Sequence, residues 1–292
     1  MNVKASTKIY GLLGNPVDHS ISPLIHNMIA QELKEDLVYE TFCVEKQDLA
    51  HAIKGAYALR IQGLNVTVPH KTEIINCLVS VEEEAKKIGA VNTITYKEDG
   101  YHGSNTDCEG LHQAFLSDEI SLETNDILMI GAGGAARAAL FMCMKYSKNR
   151  IYLLNRTKEK AKKLATEMNA CFCREQVIPL GMEEIEKIPS VKAGYLAIQT
   201  TSVGLYPNEL DCIICDPLFY KKIAVGYDII YTPEETAFMK EVKKAGGKAY
   251  NGLKMLLFQA VLAYETWRKI KVPLEIVDKV LLKMKEELNE RK

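Results

Sequence analysis

The 292-residue chain is short of several things, and each shortage closes off a class of function. It has almost no net charge: 37 basic residues against 38 acidic leave a formal −1, so no positive field draws it to nucleic acid or to an anionic membrane surface. It has no apolar run near the roughly 20 residues that a bilayer span requires, and the opening MNVKASTKIYGLLG lacks the continuous apolar core of a secretory signal. A cytoplasmic protein with a small-molecule partner is the expectation. There is no HExxH, no paired metal-ligand spacing around its histidines, no internal repeat and no low-complexity segment. Eight cysteines in a chain of this length do not read as a disulfide scaffold. Cys171 with Cys173 and Cys212 with Cys215 imitate metal-ligand pairs, but reduced thiols are the simpler reading and no metal is expected.

What is present is an apolar content of 47%, enough to fill the cores of two α/β domains. From residue 8 to about 107, short apolar runs alternate with helical patterns: KIYGLLG, SPLIHNMIAQEL, VYETFCV, DLAHAIKGAYAL, GLNVTV and GAVNTITY. This alternation predicts a largely parallel sheet flanked by helices. At Thr106 to Glu109 the strand signal gives way to a helical pattern that opens a new module. That module begins DILMIGAGGAARAALFMCMKY, then RIYLLNRT and KEKAKKLATEM: strand, glycine turn, helix, strand, helix. The alternation continues to about residue 247, and beyond Gly252 the chain turns helical through Pro273 to the amphipathic LEIVDKVLLKMKEEL. We expect a first domain of residues 1–107 completed by helices from 248–292, and a Rossmann-type, doubly wound parallel-sheet domain over 108–247.

The glycine turn, Gly131, Ala132, Gly133, Gly134, Ala135, Ala136, fits the dinucleotide-binding form with alanine in the last place. The first glycine allows the tight turn and the second lets the backbone approach a pyrophosphate. The helix that follows offers free N–H groups and the positive end of its dipole. At the end of the next strand, where an NAD site usually carries an acidic residue, this chain has Asn155, Arg156 and Thr157. A guanidinium and two short polar groups suit a 2′-phosphate, so NADP is predicted over NAD.

Four polar clusters in the first domain are candidates for substrate contact. Ser20 and Ser22 precede Pro23 and a helix, where they either receive a carboxylate or simply cap the helix. Asn65, Thr67 and Lys71 stand at the end of the strand in GLNVTVPHK, and ligands of open α/β sheets gather at the carboxyl ends of strands. Asn92 in GAVNT and Asp107 in GSNTDCEG lie toward the domain boundary, as ligands or as makers of local turns. His19, His26 and His70 are read as structural hydrogen-bonding residues.

At this point the chain resembles the shikimate dehydrogenase family. GNPVDHSISPLIHN, GLNVTVPHK, GAVNT, GSNTDCEG, GAGGAARA, NRT, DIIYTPEET and GLKMLLFQA occur in the family's order through nearly the whole length. The resemblance implies reversible NADPH-dependent reduction of 3-dehydroshikimate to shikimate, a step of aromatic amino-acid biosynthesis, at a cleft where the two domains meet. By the same resemblance Ser20 and Ser22 bind the ring carboxylate; Asn65, Thr67, Asn92, Asp107 and Gln259 hold the hydroxyls and the carbonyl region; Tyr231 adds a further contact. Gly131, Ala132, Gly133, Gly134 and Ala135 wrap the pyrophosphate, Asn155, Arg156 and Thr157 the adenosine phosphate, and Ile229 and Gly252 lie near the nicotinamide. Two departures stand in QTTSVGL, where Gln199 replaces the family's frequent asparagine and Leu205 its methionine. Ile229 also stands where methionine is frequent.

Lys71 acquires a task from this context. Its ammonium attracts a carbonyl oxygen that gains negative charge as hydride arrives, then yields a proton as general acid. Asp107 favours the charged amine and holds it in place. A quinate or dual quinate/shikimate dehydrogenase is the nearest alternative, and a noncatalytic NADP-sensing protein a more distant one. Monomer and homodimer both stay open.

Overall fold

A computed structural model describes residues 3–205 and 208–290. The chain divides into two compact units, residues 1–110 with 257–292, and residues 111–256. Both are α/β, and the crossings fall inside helices.

In the first unit, β1 (Lys8–Gly14), α1 (Ser22–Glu32), β2 (Leu37–Cys43), α2 (Leu49–Ala58) and β3 (Gly63–Val66) follow the anticipated alternation. A short β4 (Ser80–Val81), α3 (Glu83–Ile88), β5 (Thr93–Lys97) and β6 (Gly100–Ser104) complete the sheet, in the order β2-β1-β3-β5-β6-β4. The sheet is parallel-rich with one reversal: β5 runs antiparallel to both β3 and β6. The reason is local: Glu98 and Asp99 join β5 to β6 in two residues, followed by Gly100 at φ +138°, and a loop that short can only close a hairpin. Leu13, Ile53, Leu64, Val66, Ile74 and Ile94 form the core on one side of the sheet.

Helix α4 (Asp107–Ser117) leads into the second unit. There β7 (Ile127–Ile130), α5 (Gly134–Tyr146), β8 (Ile151–Asn155), α6 (Lys158–Phe172), β9 (Val177–Gly181), β10 (Tyr195–Gln199), α7 (Pro217–Tyr220), β11 (Ile223–Asp228), α8 (Ala237–Lys244) and β12 (Lys248–Tyr250) succeed one another. Every pairing is parallel, in the order β12-β11-β10-β7-β8-β9. That is the doubly wound order, whose direction reverses between β7 and β10, the point where such sheets bind ligands. All four residues of β7 are buried, as a strand covered on both faces demands. Because β12 pairs with β11, residues 248–256 stay with this unit instead of opening the helical return at 248.

The chain then forms α9 (Leu253–Arg268) and α10 (Leu274–Glu290). From Leu257 onward these helices belong to the first unit. Trp267 of α9 lies against Gly63, where any Cβ would run into its indole ring, and donates to the Ile94 carbonyl at 3.0 Å. Lys279 of α10 pairs with Glu32 of α1 at 2.7 Å. Among the described residues no helix is long and apolar enough to cross a membrane.

Candidate functional site

The first unit gathers its polar side chains at the ends of β3 and β5 and the start of α4. Lys71, just beyond the end of β3, donates from Nζ to Asp107 Oδ2 at 2.6 Å. Their side chains are 16% and 5% exposed, so the pair is largely shielded from solvent. Such a pair attracts far more strongly than one in water, and the burial of Asp107 is compensated only because it is bonded on both sides. Asn92 Nδ2 donates to the other carboxylate oxygen, Asp107 Oδ1, at 2.8 Å, and lies 3.4 Å from Gln259 Oε1. Gln259 is brought there by close packing of α9 on α4: a Cβ on Gly110 would stand 2.7 Å from its backbone nitrogen.

Asn65 is buried, taking a hydrogen bond from Tyr39 and giving two, to the Asn92 carbonyl and Thr93 Oγ1. Thr67 is half-buried with its methyl packed on Gly14. Ser20 Oγ donates to Ser22 Oγ at 3.1 Å and accepts from the Ser22 amide at 3.2 Å. Ser22 is not the cap of α1; Ile21 occupies that place, with no side chain capping the first turn. The Ser22 N–H is spent on Ser20 Oγ and Pro23 has none, so what this helix start offers an anion is chiefly the pair of hydroxyls. His70 bonds the Val44 carbonyl at 2.8 Å, the structural role expected of it. His26 differs: no hydrogen bond reaches either ring nitrogen, and the ring instead stacks on Tyr39 at 4.1 Å. Burial pushes its imidazole down to about 3.

The second unit builds its candidate site mainly from backbone. Gly131 has φ +111°, and a Cβ there would meet Thr200 Oγ1 at 2.5 Å, so only glycine fits the turn. Gly133 is exposed, with open space where its Cβ would be, and caps α5 without any side-chain bond. Ala132, Gly134 and Ala135 are half-buried along this turn. Small residues, uncapped N–H groups and a helix N-terminus are the donor set a pyrophosphate needs. After β8, Arg156 and Thr157 are exposed, while Asn155 spends its amide on the Thr157 carbonyl at 2.8 Å. A carboxylate that the sequence did not place here, Glu184, pairs with Lys158 at 2.5 Å and Lys187 at 2.6 Å. The Gly181 amide and these two lysines hold it down at about 2. Its charge is thus already matched.

Ile229 and Gly252 are brought together, since a Cβ on Gly252 would overlap the Ile229 carbonyl. Tyr231 follows in the same unit, half-buried, so it alone of the expected substrate contacts lies outside the first unit. Gln199 is fully buried; its amide nitrogen donates to the Val203 carbonyl at 3.2 Å and its oxygen accepts from the Thr201 amide. The longer side chain thus pins the turn of the QTTSVGL loop. Leu205 is exposed. Among the described residues no group of three or more His, Cys, Asp or Glu is placed to hold a metal ion.

Family models match three stretches of the chain. Residues 12–94 match the shikimate dehydrogenase substrate-binding domain, residues 113–188 the shikimate/quinate 5-dehydrogenase model, and residues 252–282 the shikimate 5'-dehydrogenase C-terminal domain. The NADP(+) shikimate dehydrogenase of Bacillus subtilis strain 168 is 41% identical over 264 residues, covering 89% of this chain and 91% of that protein. The chain belongs to the shikimate dehydrogenase family. A crystal structure of one family member in complex with NADP+ is 35% identical with a TM-score of 0.87, covering 97% of both chains. Another, from Thermus thermophilus in complex with NADP(H) and shikimate, is 28% identical with a TM-score of 0.81, covering 95% of this chain and 99% of that one.

Thr93, Thr106 and Tyr39 are site-building residues that reading the sequence did not single out. Thr106 donates its backbone N–H to Asn92 Oδ1 at 2.8 Å, fixing which way that amide faces. The first two stand beside Asn92 and Asp107 in VNT and NTD, which was the available signal; Tyr39 had none.

Proposed function

We propose that the chain catalyses the reversible reduction of 3-dehydroshikimate to shikimate with NADPH, in the shikimate pathway and in the cytoplasm. The observation that carries this reading is the Lys71–Asp107 contact, a shielded amine cation beside a carboxylate at the carboxyl end of a sheet. When bound, the nicotinamide supplies hydride to the ketone carbon, or takes it from the alcohol carbon in reverse. Lys71 Nζ stands by the ketone oxygen, stabilises its growing negative charge and transfers a proton to it. In the oxidation of shikimate the same nitrogen takes the hydroxyl proton back.

Asp107 holds the amine in place and, with Asn92 and Gln259, orients the ring hydroxyls. Ser20 and Ser22 at the start of α1 receive the ring carboxylate, Thr67 joins in holding the hydroxyls and the carbonyl region, and Tyr231 is a further substrate contact. The pyrophosphate is held by the backbone of Gly131 to Ala135, the adenosine phosphate by Arg156 with Asn155 and Thr157, and the nicotinamide lies near Ile229 and Gly252. One family model that matches the chain names quinate as well as shikimate, which keeps a quinate or dual activity as the second reading. A noncatalytic sensor would have had no need to preserve the Lys71–Asp107 pair.

Absorbance at the reduced-nicotinamide band, followed with shikimate or quinate against NADP+ or NAD+, decides among these. The expected result is efficient turnover of shikimate with NADP+. Turnover of quinate at an equal rate would establish the dual enzyme, and no turnover of either would remove the activity altogether.

A further inference from the structure

The first unit contains one continuous line of hydrogen-bonded side chains that ends on the proposed catalytic pair. Tyr39 O–H donates to Asn65 Oδ1 at 2.8 Å, and Asn65 Nδ2 donates to Thr93 Oγ1 at 3.1 Å. The Thr93 hydroxyl donates to Asn92 Oδ1 at 3.0 Å, and Asn92 Nδ2 donates to Asp107 Oδ1 at 2.8 Å. Tyr39, Asn65, Thr93, Asn92 and Asp107 are all buried, Thr93 completely.

The directions of the two amides are set by backbone groups. Asn65 Nδ2 also reaches the Asn92 carbonyl at 3.2 Å, an atom that only accepts, so the Asn65 oxygen must face Tyr39 and Tyr39 must donate. Asn92 Oδ1 takes the Thr106 backbone N–H at 2.8 Å, a group that only donates, so the Asn92 nitrogen must face Asp107. Thr93 sits between the two amides. It receives from Asn65, and its own proton goes to the Asn92 oxygen at 3.0 Å, a shorter contact than Thr106 Oγ1 at 3.3 Å. Four donors in series therefore point toward the carboxylate, an arrangement in which each bond polarises the next and favours negative charge at the end. Both Asn65 donors are used within the protein and its oxygen takes the Tyr39 hydroxyl, so each of these bonds serves the line.

We infer that Tyr39, Asn65 and Thr93 are positioning residues that hold Asn92 and Asp107 in register for substrate and for Lys71, with the Thr93 hydroxyl as the link that joins the two amides. The inference rests on the proposed reaction and assigns Asn65 to the scaffold.

Thr93→Val keeps the shape of the side chain and removes only the link, whereas Thr93→Ser keeps the link and removes a methyl. In the NADP+-loaded enzyme Thr93→Val should lower kcat for shikimate about tenfold with KM for NADP+ unchanged, as expected when a positioned group loses its orientation. Calorimetry on the cofactor-free protein should show shikimate binding about threefold weaker in Thr93→Val. Thr93→Ser should recover kcat to within about threefold of wild type. Equal kcat and shikimate affinity in the two variants would overturn the inference, because the hydroxyl would then carry nothing. If Thr93→Val does not fold, Tyr39→Phe decides: it keeps the ring stacked on His26, a drop in kcat of about threefold supports the line, and wild-type kcat with wild-type shikimate affinity overturns it. A wild-type enzyme that does not turn over shikimate sinks the proposed reaction; an active wild type with an unaffected Thr93→Val sinks only the inference.

Discussion

The two units of this chain build their candidate sites in opposite ways. The first closes its sheet with a hairpin and lines the end with buried side chains whose amides and hydroxyls bond one another: Asn65, Asn92, Thr93 and Asp107. The second keeps an all-parallel sheet and presents a turn in which side chains have been pared away, with Gly131 held at φ +111° and Gly133 facing open space. Side chains can present a chosen pattern of donors and acceptors to a ring of hydroxyls, but each buried polar atom must then be satisfied. Backbone N–H groups at a helix start recognise charge rather than identity and need only absence of bulk. Chemistry that discriminates should therefore be fragile to changes of single atoms in the first unit, and cofactor holding should be fragile to added bulk in the second.

Two buried titratable groups, His26 in the first unit and Asp228 in the second, sharpen the contrast, because their pH dependences run in opposite senses. In the first, His26 is lowered from 6.5 to about 3 by burial. Unfolded His26 takes up a proton below pH 6.5 while the native ring resists until about 3, so its contribution is complete above pH 6.5 and is lost as pH falls. Between pH 7 and 4 that loss is about 3 kcal/mol. His26→Phe keeps a ring to stack on Tyr39 and should remove the loss. Trp267, the single tryptophan, lies 5.3 Å from His26 in the same unit, so its fluorescence reports that unit's unfolding. Wild type should show a steeper fall in midpoint from pH 7 to 4 than His26→Phe; parallel curves would contradict the assignment.

In the second unit Asp228 is raised from 3.8 to about 6 by burial, against bonds from Thr236, the Ile230 amide and Gln199 that favour its charged form. Its folded-state value lies above the unfolded one, so its contribution is complete below pH 3.8 and is lost as pH rises through about 6. The loss is about 2 to 3 kcal/mol by pH 7. Asp228→Asn retains an oxygen for the Ile230 amide and should flatten that slope, measured by circular dichroism melts between pH 4 and 7. An unchanged slope would remove Asp228 as its source.

Arg156 is the exception that tests the idea of a backbone-made cofactor site, being a side chain expected to read the 2′-phosphate. Arg156→Ala should raise KM for NADP+ about tenfold while leaving KM for NAD+ within about twofold, the loss of one charge-assisted contact. Equal effects on both cofactors would mean that the arginine reads nothing particular to NADP+.

How much of this was visible in the sequence follows the same division. The β7–α5–β8 unit was legible because a buried apolar run, a glycine turn and a helical period sit side by side, all local signals. The strand β9 was harder, since Pro179 interrupts VIPLG; the structure places it at the sheet edge, where a missing N–H is tolerated. Three-residue β12 was too short to register and shifted the expected domain return. The antiparallel β5 was foretold only by the short Glu98-Asp99-Gly100 turn. In the first unit, Lys71 and Asp107 stood out through their motifs. Their support did not, because Tyr39, Asn65 and Thr93 meet across separations of 26 and 28 residues that only the sheet order closes. His26 was expected to hydrogen bond, and the aromatic neighbours that enclose it instead come from β2 and α9.

The claim that proton handling belongs to one unit and cofactor holding to the other is tested most directly by Lys71→Ala, assayed for shikimate oxidation and titrated with NADP+ in parallel. Turnover should fall by about a hundredfold or more while NADP+ affinity stays within about threefold of wild type. Near-wild-type turnover in that variant would contradict the account.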